Sequence, residues 1–76
     1  MTNAEAHGAE DYLEAIYELA EEGERVVQAR IARRLGVTRA SVSEQIARLH
    51  KMKLIEVRAR DISLTPHGHA VAEDAV

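Results

Sequence analysis

A glycine between two short helical patterns most limits what this chain can fold into. Gly36 lies near the middle of the run VVQARIARRLGVTRASVSEQIARLHKMKL, residues 26–54. Apolar residues recur on both sides of it at the spacing of one helix face: Ile31, Ala32, Leu35, Val42, Ile46 and Leu49. Gly36 can adopt the positive φ of a tight turn, Val37 can bury itself in that turn, and Thr38 can cap the next helix. The pattern predicts a helix-turn-helix, whose second helix enters the major groove in many DNA-binding proteins.

The predicted helices occupy most of the chain. The two helices of the motif are expected from about Gln28 to Leu35 and from Thr38 to about Met52. An earlier helix is expected from about Ala9 to Glu22. Its apolar stripe recurs at helical spacing: Leu13, Ile16, Tyr17 and Ala20. Residues 1–8 are expected to form a flexible N-terminal arm, and residues 9–76 a single domain.

The segment LIEVRARDISLT after the motif changes from helical spacing to alternation. Its apolar residues alternate with polar ones, which is typical of strands: Ile55, Val57, Ile62 and Leu64. The polar link at 58–61 predicts a hairpin with a basic tip, the wing. Thr65 and Pro66 then fit the N-cap and first position of a fourth helix. The predicted fold class is α+β, mainly α: a winged helix-turn-helix with a two-stranded β wing and the start of a fourth helix.

The charges are strongly segregated along the chain. Residues 1–24 hold eight acids and neither Lys nor Arg, whereas residues 25–60 hold all ten Lys and Arg. The remaining acids are few: Glu44, Glu56, Asp61, Glu73 and Asp74. The stretches 1–24, 25–60 and 61–76 carry −8, +8 and −3, in agreement with the net charge of −3. Because the basic stretch contains the helix-turn-helix, we expect it to dock on the phosphates of duplex DNA, with the acidic first helix facing away.

Composition disfavours several other functional classes. The chain has no Cys, which rules out disulfides, thiolate metal sites and a Cys nucleophile. Single-strand binding relies on stacking bases on aromatic rings, and Tyr12 and Tyr17 are the only Phe, Tyr or Trp residues. There is no Gly-rich phosphate loop, and Ser41 and Ser43 lie on a helix without a matched base, so no enzyme is expected. No apolar run approaches the length of a membrane span, and we expect a cytoplasmic protein.

The exposed face of the second motif helix carries side chains suited to reading bases. Arg39 and Arg48 can pair with O6 and N7 of guanine, and Glu44 can accept a hydrogen bond from N4 of cytosine. Ser43 can bond to several base edges, and Lys51 adds positive charge at the end of the same face. The alternative is that these residues are solvated helix positions with no ligand.

Phosphate contacts are expected from residues around that helix. Thr38 and Ser41, near its start, can bond phosphate through the side chain or the backbone amide. Gln28 and Arg30 begin the first motif helix, which crosses the DNA backbone in this architecture. Two further candidates lie at the wing tip: Arg58 and Arg60. These two arginines can contact phosphates or the minor groove. Alternatively, they are exposed charges that protect the edge of the hairpin from pairing with another strand.

Three stretches carry a resemblance to a known family. They are EDYLEAIYELAEEG, VQARIARRLGVTRASVSEQIARLHKMKLIEV and ISLTPHG, which lie between residues 10 and 68. The resemblance as a whole covers about residues 10–76. They resemble the metal-dependent repressors of the diphtheria toxin repressor and manganese transport regulator type. The E-x-Y-L-x-x-I-Y opening and the L-T-P-x-G after the wing are features of that family that generic winged helices lack. The resemblance implies a homodimeric transcription factor in which Mn²⁺ or Fe²⁺ drives binding to a palindromic operator and represses metal uptake.

The resemblance also implies a partial metal site on the first helix. Asp11 falls on the family's first ligand position and Glu14 on the second. Carboxylates there resemble the manganese-responsive branch, because the iron-responsive branch has Met at the first position. The two side chains are three residues apart on one helix face, and oxygen ligands suit Mn²⁺ or Fe²⁺. The remaining ligands and the dimerisation helices are expected beyond Val76, so this chain alone is expected to bind no metal tightly.

Three alternatives stay open at this point. Glu18 and Glu21 continue the face of Asp11 and Glu14, so the acids of the first helix can equally form a solvated stripe. A winged helix can serve as a protein–protein interaction module, which the acidic net charge favours and the basic recognition face disfavours. A winged-helix regulator that senses no metal would present the same DNA-binding face.

Overall fold

The computed structural model describes residues 8–75 of the chain. Within them lie four helices and one antiparallel sheet, in the order α1 (Ala9–Glu21), α2 (Gln28–Leu35), α3 (Arg39–Lys51), β1 (Ile55–Arg58), β2 (Asp61–Leu64) and α4 (Pro66–Ala75). The flexible arm predicted for residues 1–8 lies outside the described residues except for Gly8, and so does Val76. The architecture confirms the predicted winged helix-turn-helix, in which β1 and β2 form the wing.

The turn between α2 and α3 follows the sequence prediction. Gly36 has a φ of 69°, in the left-handed region that favours glycine. Its N–H and that of Val37 both donate to the Ala32 carbonyl, at 2.8 and 3.0 Å, which satisfies the end of α2. Val37 is half-buried against the core, and the Thr38 side chain caps α3. The tight turn therefore fixes the angle at which α3 leaves α2.

The buried face of α1 is wider than predicted. Leu13 and Ile16 are buried as expected, but Tyr17 is only half-buried and Ala20 is exposed. Three further residues of α1 are buried: Tyr12, Ala15 and Leu19. The prediction that Ala20 lies on the buried face was wrong. The buried face is wider than the predicted stripe because α1 contacts α2, α3, α4 and β2, and a helix surrounded in this way buries more than one narrow stripe.

The wing is a hairpin closed by a two-residue turn. Arg58 stands opposite Asp61 in the strand register, so both residues belong to the strands. The link predicted at 58–61 thereby shortens to Ala59 and Arg60. Ala59 has a φ of 53°, although such short hairpin turns favour glycine where φ is positive. The tip therefore carries local backbone strain.

Burial in the wing departs from simple alternation at Val57. This side chain is 38% exposed, whereas its cross-strand partner Ile62 is 4% exposed. The difference arises because β2 lies beside the α1–α2 loop, where the Ile62 N–H donates to the Val26 carbonyl at 2.9 Å. β1 is the outer strand, so Val57 is not covered on that flank. The expected burial is confirmed for Ile55 and Ile62 and is partial for Leu64.

The L-T-P-x-G segment joins α3, the wing and α4. Thr65 Oγ1 donates to the Lys53 carbonyl at 2.8 Å and accepts from the Gly68 N–H at 3.0 Å, which confirms Thr65 as the N-cap. The Thr65 N–H donates to the Leu54 carbonyl at 3.1 Å. A Cβ on Gly68 would lie 1.9 Å from that same carbonyl oxygen. Glycine is therefore required for α4 to pack this closely against the end of α3.

Replacing Gly68 with Ala is expected to destabilise the domain strongly. The added methyl group meets backbone that cannot rotate away, so the free energy of unfolding should fall by about 2 kcal/mol or more. Urea unfolding followed by circular dichroism measures this change. Gly8→Ala is the matched control, because a Cβ there meets nothing within 4 Å, and it should cost less than about 1 kcal/mol. Equal stability of the two variants would contradict the proposed close packing.

Replacing Ala59 with Gly is expected to stabilise the wing. The left-handed conformation costs a non-glycine residue about 1–2 kcal/mol, and the extra chain entropy of glycine offsets about 0.5–1 kcal/mol of that gain. Thermal unfolding should therefore show a small rise in stability. Ala70→Gly, at an exposed position inside α4, should instead lower stability by about 1 kcal/mol. A loss of stability in both variants would show that Ala59 is not strained.

Candidate nucleic-acid interface

One face of α3 is exposed along the whole helix. The residues predicted to read bases all lie on it: Arg39, Ser43, Glu44, Arg48 and Lys51. The opposite face is buried through Val42, Ile46 and Leu49. Because a helix repeats every 3.6 residues, burial of that stripe fixes which side chains project outward. The predicted exposure is confirmed, and contact of these side chains with DNA stays a prediction.

The start of α3 is held by two contacts between Thr38 and Ser41. Thr38 Oγ1 accepts a hydrogen bond from the Ser41 N–H at 3.0 Å and donates to Ser41 Oγ at 3.1 Å. Thr38 is exposed and Ser41 is half-buried. Of the two hydroxyl groups predicted to reach phosphate, that of Thr38 is therefore the better placed.

An open cleft of about 490 Å³ lies between α2, α3 and the wing. Three residues predicted to bind DNA line it from three elements: Gln28 from α2, Arg39 from α3 and Arg60 from the wing turn. Arg25 lines the same cleft from the α1–α2 loop, and the sequence reasoning did not single it out. Its place as the first residue of the basic stretch is the one signal that pointed to it. Three guanidinium groups on one concave surface suit a polyanion such as a DNA backbone.

A hydrogen bond joins the two helices of the motif at Gln28, beside this cleft. Ser43 Oγ donates to Gln28 Oε1 at 2.9 Å. The bond uses the acceptor atom of the Gln28 amide, so the group that Gln28 presents to a phosphate is its NH₂ donor. The sequence predicted both residues as DNA contacts, and the structure places them in contact with each other.

Two arginines, Arg25 in the cleft and Arg30 on α2, form ion pairs with carboxylates. Arg25 Nε donates to Asp61 Oδ1 at 2.7 Å, and Arg30 Nη1 donates to Glu24 Oε1 at 2.5 Å. The hydrogen bond and the charge of Arg25 hold the pKa of Asp61 below its usual range. The positive charge of Arg25 therefore favours the ionised form of Asp61. Arg30, a predicted phosphate contact, is exposed but already has an acidic partner.

Eight of the residues predicted to bind DNA do not line the cleft, and three of these are basic residues of α3 and the wing. Arg48 and Lys51 lie on later turns of α3, and Arg58 lies in β1 opposite Asp61. All three are exposed. They extend the basic surface along α3 and the wing rather than joining the group around the cleft.

The acids of α1 are partly engaged by α2. Arg34 Nη1 donates to Glu18 Oε1 at 3.2 Å, and Arg34 Nη2 donates to Glu22 Oε1 at 2.6 Å. Hydrogen bonding to Glu22 is the main reason that the pKa of Arg34 is raised. Glu18 on the acidic face of α1 is therefore both exposed to solvent and paired with Arg34.

Asp11 and Glu14, the candidate metal ligands, are half-buried on α1. Their carboxylate oxygens are donors of the kind that Mn²⁺ and Fe²⁺ accept. Across residues 8–75, no three His, Cys, Asp or Glu side chains are grouped so that they could hold a metal ion. These two residues are thus suited in chemistry to such ions, and their role as metal ligands stays a prediction. No helix in the described part of the chain is long and apolar enough to cross a membrane.

Several known proteins are similar to this chain. The family described as "Iron dependent repressor, N-terminal DNA binding domain" matches residues 6–61. The diphtheria toxin repressor of Corynebacterium efficiens is 44% identical over 64 residues, which cover 83% of this chain and 28% of that protein. The crystal structure of IdeR from T. acidophilum gives a TM-score of 0.83 at 34% identity, covering 88% of this chain and 32% of that one. The manganese regulator SloR gives 0.77 at 33% identity, covering 95% and 32%.

The similarity extends over the elements that form the cleft. Residues 6–61 include α1, the helix-turn-helix, β1 and the first residue of β2. The chain spans less than a third of the length of each of these relatives. It belongs to the iron-dependent repressor family and corresponds to the N-terminal DNA-binding domain of its members.

Proposed function

We propose that this chain binds duplex DNA with sequence specificity, as the DNA-binding part of a Mn²⁺- or Fe²⁺-dependent transcriptional repressor. The observation that carries the proposal is the convergence of Gln28, Arg39 and Arg60 on one cleft beside the exposed face of α3. Three separate elements contribute these side chains, so folding is what brings them together. The role requires no catalysis, and it is exercised in the cytoplasm, where bacterial DNA lies.

Binding would proceed through two kinds of contact. Arg25, Gln28 and Arg60 line the cleft and would hold phosphates, which sets the orientation of the domain on the duplex. Arg30, near the start of α2, would add a phosphate contact outside the cleft. The exposed face of α3 would then lie in the major groove. There, Arg39 can read guanine, and Ser43 and Glu44 can read neighbouring base edges.

The metal and the dimer belong to the longer protein in this proposal. Asp11 and Glu14 would supply two oxygen ligands from α1 to a Mn²⁺ or Fe²⁺ ion. Two carboxylates alone bind such an ion weakly, so tight binding needs ligands from other segments. A homodimer would place two copies of α3 on the two halves of a palindromic operator. Support comes from the family match and from the likeness to a manganese regulator.

Fluorescence anisotropy on mixed-sequence duplex DNA tests the proposal directly. The salt dependence across about 50 to 200 mM should give a log–log slope of several units, because each neutralised phosphate contributes about −0.9. Arg48→Gln should weaken binding more than the matched control Arg33→Gln, since Arg33 is exposed on α2 and lies outside the cleft and the α3 face. No binding at the lowest salt, also after fusion to a dimerising segment, would favour a protein-binding winged helix instead.

Replacing Glu44 with Gln is expected to tighten binding and relax base preference. The change removes a negative charge from the DNA-facing side of α3, so affinity for every duplex should rise. It also removes the carboxylate that can accept from N4 of cytosine, so discrimination at that base should fall. Selection from a randomised duplex library followed by sequencing measures both effects. Glu21→Gln on α1 controls for the lost charge, and a uniform change across all sequences would argue against base reading by Glu44.

A further inference from the structure

Arg25 is joined to the wing by a two-point contact. Arg25 Nε lies 2.7 Å from Asp61 Oδ1, and Arg25 Nη2 lies 3.5 Å from Asp61 Oδ2. Both side chains are well exposed, at 64% and 54%. Asp61 thus offers two oxygens to the guanidinium edge, as a phosphate group would.

The position of Arg25 does not depend on this ion pair alone. The next residue, Val26, is buried, and its carbonyl accepts a hydrogen bond from the Ile62 N–H at 2.9 Å. This backbone bond fastens the α1–α2 loop to β2 beside the cleft. If Asp61 were displaced, Arg25 would therefore stay at the cleft, among Gln28 and Arg39.

The ion pair is also weak enough to be exchanged. Pairs between exposed side chains contribute little stability, because water and salt screen the charges. A DNA phosphate carries a full negative charge and sits in a row of other phosphates, so it can replace a single exposed carboxylate. The same arrangement occurs at Arg30, where Glu24 holds the guanidinium and both side chains are about half exposed.

We propose that Arg25 is a further phosphate-binding residue of this interface. In the free protein its guanidinium group binds Asp61, and in the complex with DNA a phosphate takes the place of Asp61. The inference rests on the proposed binding of duplex DNA. Asp61 thereby lowers the affinity for DNA of any sequence, because it must be displaced on binding. The partner group is the duplex backbone, so the effect does not depend on base sequence.

The test measures salt-dependent anisotropy on mixed-sequence duplex for Arg25→Gln, Asp61→Asn and the double variant. Arg25→Gln should lower the affinity and reduce the salt slope by about 0.9, the value for one phosphate. Asp61→Asn should raise the affinity, by up to about fivefold, the upper range for breaking an exposed ion pair. In the double variant the gain from Asp61→Asn should shrink, because no guanidinium remains to be released.

Matched controls separate these effects from a general change of charge. Arg33→Gln removes one positive charge from α2, and Glu21→Gln removes one negative charge from α1; both residues are exposed and lie outside the cleft. The change in DNA affinity should be larger in each test variant than in its control. Thermal unfolding should show that all of the variants fold.

Three results would overturn the proposal. Equal losses of affinity in Arg25→Gln and Asp61→Asn would mean that the pair only fastens the wing. Changes no larger than those of the controls would mean that Arg25 meets no phosphate. If the unsubstituted chain binds no duplex, even as a dimeric fusion, the proposed function itself fails; if it binds and the variants behave as the controls, only this inference fails.

Discussion

The structure depends on the close approach of Gly68 to the Leu54 carbonyl. At this point α3 has just ended, β1 is about to begin and α4 is in its first turn. Thr65 joins the same three elements, since its hydroxyl group contacts both Lys53 and Gly68. From there α4 packs along α1, which also contacts α2, α3 and β2. The angle between α3 and the wing, and with it the shape of the cleft, therefore follows from a contact that only glycine permits.

The elements that could be predicted from sequence are those with local causes. Gly36 ends α2 because its own φ is positive, and Thr38 and Thr65 cap helices through hydrogen bonds to N–H groups three residues away. Burial at Ala20 and Val57 could not be predicted in this way. Val57 is exposed because β2, not β1, is bonded to the α1–α2 loop. That pairing joins residues 26 and 62, and no local pattern encodes it.

The same distinction between local causes and long-range contacts applies to the candidate site. The exposed face of α3 was predictable, because helical periodicity together with the buried Val42 and Leu49 determines it. The arrangement around the cleft was not, because its contacts join distant residues. Arg25 and Asp61 are 36 positions apart, and Gln28 and Ser43 are 15 apart. The sequence accordingly predicted Gln28 and Ser43 as separate DNA contacts and missed Arg25.

Folding brings some of the basic residues into ion pairs with acids that are distant in sequence. Within residues 8–75, the basic residues that remain without such partners indicate where DNA would bind. The basic stretch meets acids from α1 and from its own flanks, since Arg34 pairs with Glu18 and Glu22, and Arg30 with Glu24. Among the described residues, no ion pair involves the basic side chains of the α3 face: Arg39, Arg48 and Lys51. In the part of the chain that the structure describes, acids thus compensate positive charge on the α1 side of α2 and, through Asp61, at Arg25 in the cleft, but not at the three basic side chains of the α3 face. This distribution of charge would draw a phosphate backbone to the exposed face of α3, where base reading is proposed.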